Sequence, residues 1–372
     1  MEQMHHVVDL DLEPHEASGL VASESDRLKK RLGWAPLYWT ILDDGKVENC
    51  IAVIGQVGGT VEPTAGWSSR RLHCTVTTVT GDTDDGEAIA AHDGWVYVFG
   101  SGYGAKTGPL EPERSFVARF HEDDVAVDDG RLSVGLHVQQ APFVLHQVIN
   151  DALRRGHVDV LPPAPKYHRK FVTKVRNSAV REGAPWAWRL RHDDLPVNIE
   201  GAEFLPDGTL LLGLRLPVTG DGNPIIVAVR GIDRLFDPAV GDPEAIGVLT
   251  VPGVGDRRAH AGIRDLHLAD DGVLHLLVGD LDSDPDESRL LRHHPEAAGF
   301  ESAHWRAPLP DLPDAFATTV LTAEHVHTFA GLTRVEGIAA DDGAMLYVSD
   351  EDESVRTRFF TGAAGEPDDQ PD

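Results

Sequence analysis

Four carboxylates recur in one local setting along the chain. Glu87 opens "EAIAAHDGWVYVFGSG", Glu200 opens "EGAEFLPDGTLLLGLR", Asp265 opens "DLHLADDGVLHLLVGD" and Glu336 opens "EGIAADDGAMLYVSDE". Brought together, four carboxylates repel one another unless a cation or a proton neutralises them. An all-oxygen set suits calcium or magnesium, and such an ion could also hold a phosphorylated or carboxylated substrate and activate water. Glu87, Glu200, Asp265 and Glu336 are therefore candidate metal ligands. Arg215 in "GLRLP" and Arg264 in "IRDLH" lie within or beside the same stretches and could balance the acids instead. The alternative is structural: each carboxylate accepts hydrogen bonds from neighbouring amides, and a packing problem repeated along a chain gives repeated residues. His267 stands two positions beyond Asp265, on the same face of a strand, and is the candidate for acid–base work. The candidate catalytic set is His267, Asp265, Arg264 and Arg215.

The elements that must carry these residues follow from the pattern around them. Each stretch passes from its carboxylate through small and apolar residues to an Asp-Gly, then into an apolar strand. Asp-Gly suits a tight hairpin because its central residues take positive φ. The stretches begin 113, 65 and 71 residues apart. A four-stranded propeller blade takes about 40–50 residues, so the first gap has room for a further blade, with "SFVARFHEDDVAVDDGRLSVGLHV" supplying strands. "PLYWTILDDGKVENCIAVIG" is another hairpin, with Asp44–Gly45 at its tip. The expectation is an all-β chain folded as a β-propeller of about six blades, five or seven being compatible with the same count. If the blades surround a common axis, their leading carboxylates converge there.

One helix interrupts the strands. In "APFVLHQVINDALRRG", Phe143, Val144, Val148, Ala152 and Leu153 recur at helical intervals, Pro142 suits the first turn, and Arg154, Arg155 and Gly156 form a stop. With the "LPPAPK" that follows, it reads as an insertion over 141–165, its helix near 142–155, capping the sheet surface. Residues 1–360 are expected to form one propeller domain, and the acidic 361–372 a disordered tail.

Other motifs narrow the chemistry. "VYVFGSGYGAKTGPLEPERSF" resembles a phosphate-binding P-loop, but Ala105 replaces the glycine before Lys106, and Pro109 and Pro112 prevent the helix that should follow. As a loop leaving a blade, it offers Ser101, Lys106 and Arg114 to an anionic ligand, closing over it as a mobile segment. The histidine pairs lack the further ligands of a closed zinc site, no Gly-x-Ser-x-Gly elbow occurs, and Cys50 and Cys74 read as free thiols. The 33 basic and 61 acidic residues give a net charge of −28. That field repels nucleic acid and anionic membranes, so neither is an expected partner. No apolar run has the length of a membrane span and the N-terminus lacks signal-peptide features, so the expected location is the cytoplasm. Residues 166–191 oppose the trend, with eight Lys/Arg against Glu182 and with Tyr167, Phe171, Trp186 and Trp188 interleaved. They read either as a surface for an anionic ligand or an acidic protein partner, or as two strands with solvated charges.

On "DGEAIAAHDGWVYVFGSG" with Arg114, "IEGAEFLPDGTLLLGLRLP", "IRDLHLADDGVLHLLVGD" and "VEGIAADDGAMLYVSDED", the chain resembles bacterial domain-of-unknown-function family 3616. The matching pieces run from about Gly86 to Asp352. More distantly, the Glu-Gly-plus-hairpin pattern is similar to the esterase-like phytase propellers. The resemblance implies a propeller and no particular reaction. It departs from the commoner Glu-Gly and Ser-His spellings at Glu87–Ala88 and Ser101–Gly102, so no histidine role carries over there. Two functions stay open: a divalent-cation-dependent hydrolase of a phosphorylated or carboxylated small molecule, and a non-catalytic propeller that binds a ligand or a protein.

Overall fold

The computed structural model describes residues 5–10, 12, 17–42, 45–62, 64–77, 81–237, 239–282, 288–341, 344–351 and 354–360. The expected tail over 361–372, Asp44 and the Asp342–Gly343 turn lie outside these. Twenty of the described strands form five four-stranded antiparallel blades, while Ala126–Asp128 pairs with Arg131–Gln140 and Ala317–Val320 adds a parallel strand beside Glu244–Thr250. Blade 1 comprises Ala17–Ala22, Trp34–Leu42, Ile51–Val57 and Trp67–Val76. Blade 2 comprises Gly86–His92, Trp95–Gly100, Phe116–His121 and Arg131–Gln140. Blade 3 follows with Asn198–Phe204, Leu210–Leu216, Ile225–Arg230 and Glu244–Thr250. Blade 4 has Gly262–Leu268, Val273–Gly279, Ala303–Pro308 and Glu324–Thr328. Blade 5 takes Val335–Asp341, Ala344–Glu351 and Ser354–Phe360, and its outer strand is the N-terminal His5–Leu10. The first strands of blades 1 to 5 neighbour one another in a closed ring, which makes the fold a β-propeller.

The blade count differs from six for an identifiable reason. Phe116–His121 and Arg131–Gln140 complete the Glu87 hairpin instead of founding a blade of their own. The rest of the 113-residue gap is the insertion. Its helix runs over Val144–Arg155 and begins after Phe143, which has φ 60°. The helix buries Val144, Leu145, Ile149, Ala152 and Leu153 in one cluster with apolar residues of blades 2 and 3. The segment expected as two strands is instead helical over Pro165–His168, a π-turn at Arg169–Thr173, and Lys174–Glu182. Tyr167, Phe171, Val175 and Ala179 recur every fourth residue and are buried, so one face of this rod packs inward and its cations lie outside.

Two local features position the axis. The Asp93–Gly94 turn has φ 51° and 75° at its two residues and pairs His92 with Trp95, the two-residue hairpin that the dipeptide favours. At the other end of each first strand, pairing skips one residue, a β-bulge that re-aims its side chain. The skipped residues are Gly19, Glu87, Glu200, Arg264 and Glu336. Glu87, Glu200 and Glu336 are thus equivalent, as expected. In blade 4 the equivalent residue is Arg264, and Asp265 stands one place later, in register with Gly201 and Gly337. A Cβ at Gly201 would meet Ile263 Cγ2 at 2.8 Å, and one at Gly337 would meet Val348 Cγ1 at 2.6 Å. The Glu-Gly pair therefore combines an axial carboxylate with close packing of neighbouring strands.

Between blades 1 and 2 a carboxylate not foreseen from sequence is buried. Glu122, 1% exposed, accepts from Trp39 Nε1 at 2.7 Å, Ser23 Oγ at 2.9 Å, and the amides of Ser25 and Glu24 at 2.5 and 3.3 Å. Burial raises its pKa, while these donors favour the ionised form. Glu122→Ala would leave these buried donors unsatisfied, at a cost of about 1–3 kcal/mol for each that water cannot reach. Urea unfolding measures this, and a loss below about 1 kcal/mol would show that the donors find other partners.

Candidate functional site

The bulged residues and the strand ends beside them enclose a cavity of about 320 Å³ at the propeller axis. Among the described residues its lining carries five cations, Lys106, Arg114, Arg215, Arg264 and Arg334. They face four carboxylates, Asp85, Glu87, Asp282 and Glu336.

The floor is a network of ion pairs. Arg264, 4% exposed, donates through Nη1 to Glu200 Oε2 and Glu336 Oε2, each at 3.0 Å, and through Nη2 to Asp280 Oδ1 at 2.9 Å. Arg215 donates through Nη1 to Glu200 Oε1 at 2.7 Å and through Nε to the Asp280 carbonyl at 3.1 Å. Its Nη2 has only a 3.6 Å ion-pair contact with Asp280. Asn198 donates to Glu200 Oε1 at 2.9 Å. Burial alone would lower the pKa of both guanidiniums. The carboxylates around Arg264, Glu336 first, more than offset this, and both arginines are held above their ordinary value. Each therefore stays charged, so the floor carries its own countercharge.

Asp265 has a different task. It is fully buried and absent from the cavity wall. Its Oδ2 accepts from the amides of Leu20 in blade 1 and Ile338 in blade 5 at 3.1 and 2.9 Å, and Oδ1 accepts from Leu266 N at 2.8 Å. Burial pushes its pKa well up, against the pull of these three amides. Asp265 ties three blades together below the axis. Glu87 lines the wall and accepts from Ser18 Oγ at 3.0 Å. Among the described residues, no group of three or more His, Cys, Asp or Glu side chains is arranged to hold a metal ion.

The roof is the loop that resembled a P-loop. Tyr103, Gly104, Ala105 and Lys106 line the cavity from it. The insertion holds this loop: the Tyr103 and Tyr167 hydroxyls are hydrogen-bonded, and Leu110 N donates to Phe171 O at 3.3 Å. Arg114 forms ion pairs with Asp85, Glu111 and Asp84 at 2.8, 2.9 and 3.1 Å. Ser101, 1% exposed, is not in the lining; its hydroxyl donates to Asp85 and accepts from Tyr103 N. The cavity therefore unites Glu87, Glu336, Arg215, Arg264, Lys106 and Arg114, with Glu200 beneath, and leaves out Ser101, Asp265 and His267. Asp282, Arg334 and Tyr103 join it without having been foreseen, and Asp280 lies beneath with Glu200. Asp280 follows the Gly279 that ends the second strand of blade 4, as Ser101 follows Gly100 in blade 2, and that parallel was the available signal.

His267 belongs elsewhere, in a row of histidines across blade 4. Its Nδ1 is 3.6 Å from Glu203, and its ring centroid lies 6.0 Å from that of His275. His275 Nδ1 is 2.8 Å from His304 Nε2, and the Tyr347 hydroxyl of blade 5 is 2.9 Å from His304 Nδ1. Burial lowers the His275 pKa to about 4 and that of His304 well below its ordinary value. Both stay neutral in the fold while the unfolded chain takes up protons near pH 6.5. Stability is therefore complete above that pH and declines as the pH falls toward about 4. For His275 this is on the order of 3 kcal/mol. Urea unfolding of the parent and of His275→Gln at several pH values tests it; equal pH slopes would refute the assignment.

Cys50 and Cys74 are unbridged. No helix among the described residues is long and apolar enough to cross a membrane.

No family model matches the chain, and no curated protein matches it. Solved structures do. A mannose phosphorylase from Leishmania mexicana, in complex with phosphate ion, aligns over 95% of this chain and 87% of its own at 11% identity, with a TM-score of 0.40. A glycosyl hydrolase from Bacteroides ovatus aligns over 94% and 86% at 10% identity, TM-score 0.41. A protein of unknown function from Dyadobacter fermentans aligns over 96% and 98% at 11% identity, TM-score 0.38. These are similarities of overall fold between chains of very different sequence.

Proposed function

We propose that the axial cavity binds a small anionic molecule, phosphorylated or carboxylated, and does so without a divalent cation. The observation that supports this reading is the pairing on the floor. Glu200, Glu336 and Asp280 are each paired with Arg264 or Arg215, so two fixed cations already offset most of the charge of the three carboxylates that an ion would otherwise have to neutralise. Arg215 retains Nη2 for a ligand, since its hydrogen bonds run through Nη1 and Nε. A guanidinium held by two anchors offers a carboxylate or phosphate oxygen a charge-assisted hydrogen bond from a fixed direction. Of the two functions left open by the sequence, the ligand-binding propeller with a paired channel is the one this arrangement favours.

Isothermal titration with inorganic phosphate and with citrate tests the reading. Binding is expected for the parent and about a tenfold or greater loss for Arg215→Gln, the scale of one charge-assisted bond. Thermal unfolding of the parent should be unchanged by excess chelator or by millimolar calcium. Absence of binding by both anions would overturn the proposal, and a melting temperature that rises with calcium would restore the cation-dependent hydrolase.

A further inference from the structure

The open end of the blade 3 hairpin is irregular on both of its strands. Asn198 pairs with Leu216, Ile199 with Leu214 and Gly201 with Gly213, so Arg215 is skipped on one strand and Glu200 on the other. Bulges re-aim the skipped side chains. Here both reach the cavity floor, where Arg215 Nη1 donates to Glu200 Oε1 at 2.7 Å. Asn198, 6% exposed, lines the cavity and donates through Nδ2 to that same oxygen at 2.9 Å. A carboxylate only accepts, so this bond fixes the orientation of the amide, with Nδ2 on Glu200 and Oδ1 turned away from it. Among the described residues the buried Oδ1 accepts no hydrogen bond. An enclosed acceptor in that state is costly unless a donor reaches it. Arg215 Nη2 is its complement: its 3.6 Å contact with Asp280 is too long for a hydrogen bond. A donor lacking an acceptor and an acceptor lacking a donor are thus carried by two groups anchored on one oxygen.

Resting on the cavity reading above, we infer that the ligand is a hydroxycarboxylate and that Asn198 selects for its hydroxyl. The carboxylate takes the Arg215 Nη2 donor, and the neighbouring hydroxyl donates to Asn198 Oδ1. An ammonium in place of the hydroxyl would set a positive charge beside the Arg215 guanidinium, so a neutral donor fits better.

Citrate and tricarballylate are the probes, because they carry the same carboxylates and differ by one hydroxyl. Both are titrated calorimetrically at matched ionic strength, in buffer free of divalent cations, at a slightly alkaline pH where each is fully ionised. The parent is expected to bind citrate at least about tenfold more tightly, since a buried polar group left unpaired by the analogue penalises it. Asn198→Ala should bring the two affinities within about twofold of each other. If Asn198 only props Glu200, the substitution weakens both ligands together and their ratio keeps the parent value, which overturns the role given to Asn198. Equal binding of the two compounds by the parent overturns the inference without any variant and leaves the cavity reading standing. Should the parent bind neither compound nor orthophosphate, the cavity reading falls and the inference with it.

Discussion

Arg264→Met is expected to lower the stability of the fold by about 3–5 kcal/mol, the usual result of removing one partner from a buried ion pair. The side chain is 4% exposed and bridges blades 3, 4 and 5 through Glu200, Asp280 and Glu336. Methionine fills much of the same volume, so the loss comes from charge more than from packing. Three carboxylates would remain around the vacated position with only Arg215 against them. Two responses should follow. The variant should become more stable as the pH falls toward the carboxylate range, because protonation relieves the repulsion. It should also gain stability from millimolar calcium, to which the parent is indifferent, because the substitution creates the unbalanced oxygen cluster that suits that ion. Urea unfolding with and without calcium reads both. A variant as stable as the parent would mean that the floor network contributes little, and one that ignores calcium would mean that the freed carboxylates turn apart.

Asp265→Ala is expected to cost a comparable amount, about 3 kcal/mol or more, through a different route, the loss of an acceptor shared by buried amides. Its carboxylate accepts three backbone amides, two of them from other blades. Alanine leaves these buried donors without their acceptor, at about 1–3 kcal/mol each where water cannot reach them. Asp265→Asn keeps one oxygen acceptor and should lose less. Hydrogen exchange at the Leu20 and Ile338 amides provides the specific readout: both should exchange faster in the alanine variant, while amides in the outer strands of blade 3 change little. Unaltered protection at Leu20 and Ile338 would remove Asp265 from the role given to it.

The sequence made some of this legible and hid the rest for physical reasons. The hairpins could be placed because Asp93–Gly94, Asp207–Gly208 and Asp271–Gly272 each supply a residue with positive φ between apolar strands. Three of the four leading carboxylates could be aligned because a bulge followed by a small residue has a recognisable spelling. The fourth was displaced by one position. Blade 4 writes Arg-Asp where blades 3 and 5 write Glu-Gly, and matching acid to acid selects Asp265 over Arg264. The spacing to the turn glycine did not decide it, since Arg264 to Gly272 equals Glu200 to Gly208 whereas Asp265 to Gly272 equals Glu87 to Gly94. The helices after 165 were obscured by their charge, although Tyr167, Phe171, Val175 and Ala179 already kept a helical interval. The pairing of Arg215 and Arg264 with the acids was foreseen as one of two solutions. Nothing local in the sequence distinguishes the solutions, because the hydrogen-bonded partners lie between 15 and 72 residues apart and only the closed ring brings them together.

Closure of that ring has a consequence for how the protein is made. The outer strand of blade 5 is His5–Leu10, paired in antiparallel register with Ser354–Phe360. During synthesis His5–Leu10 is made well before Ser354–Phe360 and must wait for the blades between them before its partner exists. Throughout that interval His5–Leu10 has no strand to pair with, and blade 4 meets no neighbour on its far side. Arg264 then has Glu200 and Asp280 but not yet Glu336, and Asp265 has Leu20 without Ile338. Blade 5 therefore supplies the final strand partners and, in the same event, brings Glu336 into the ion-pair network at the centre.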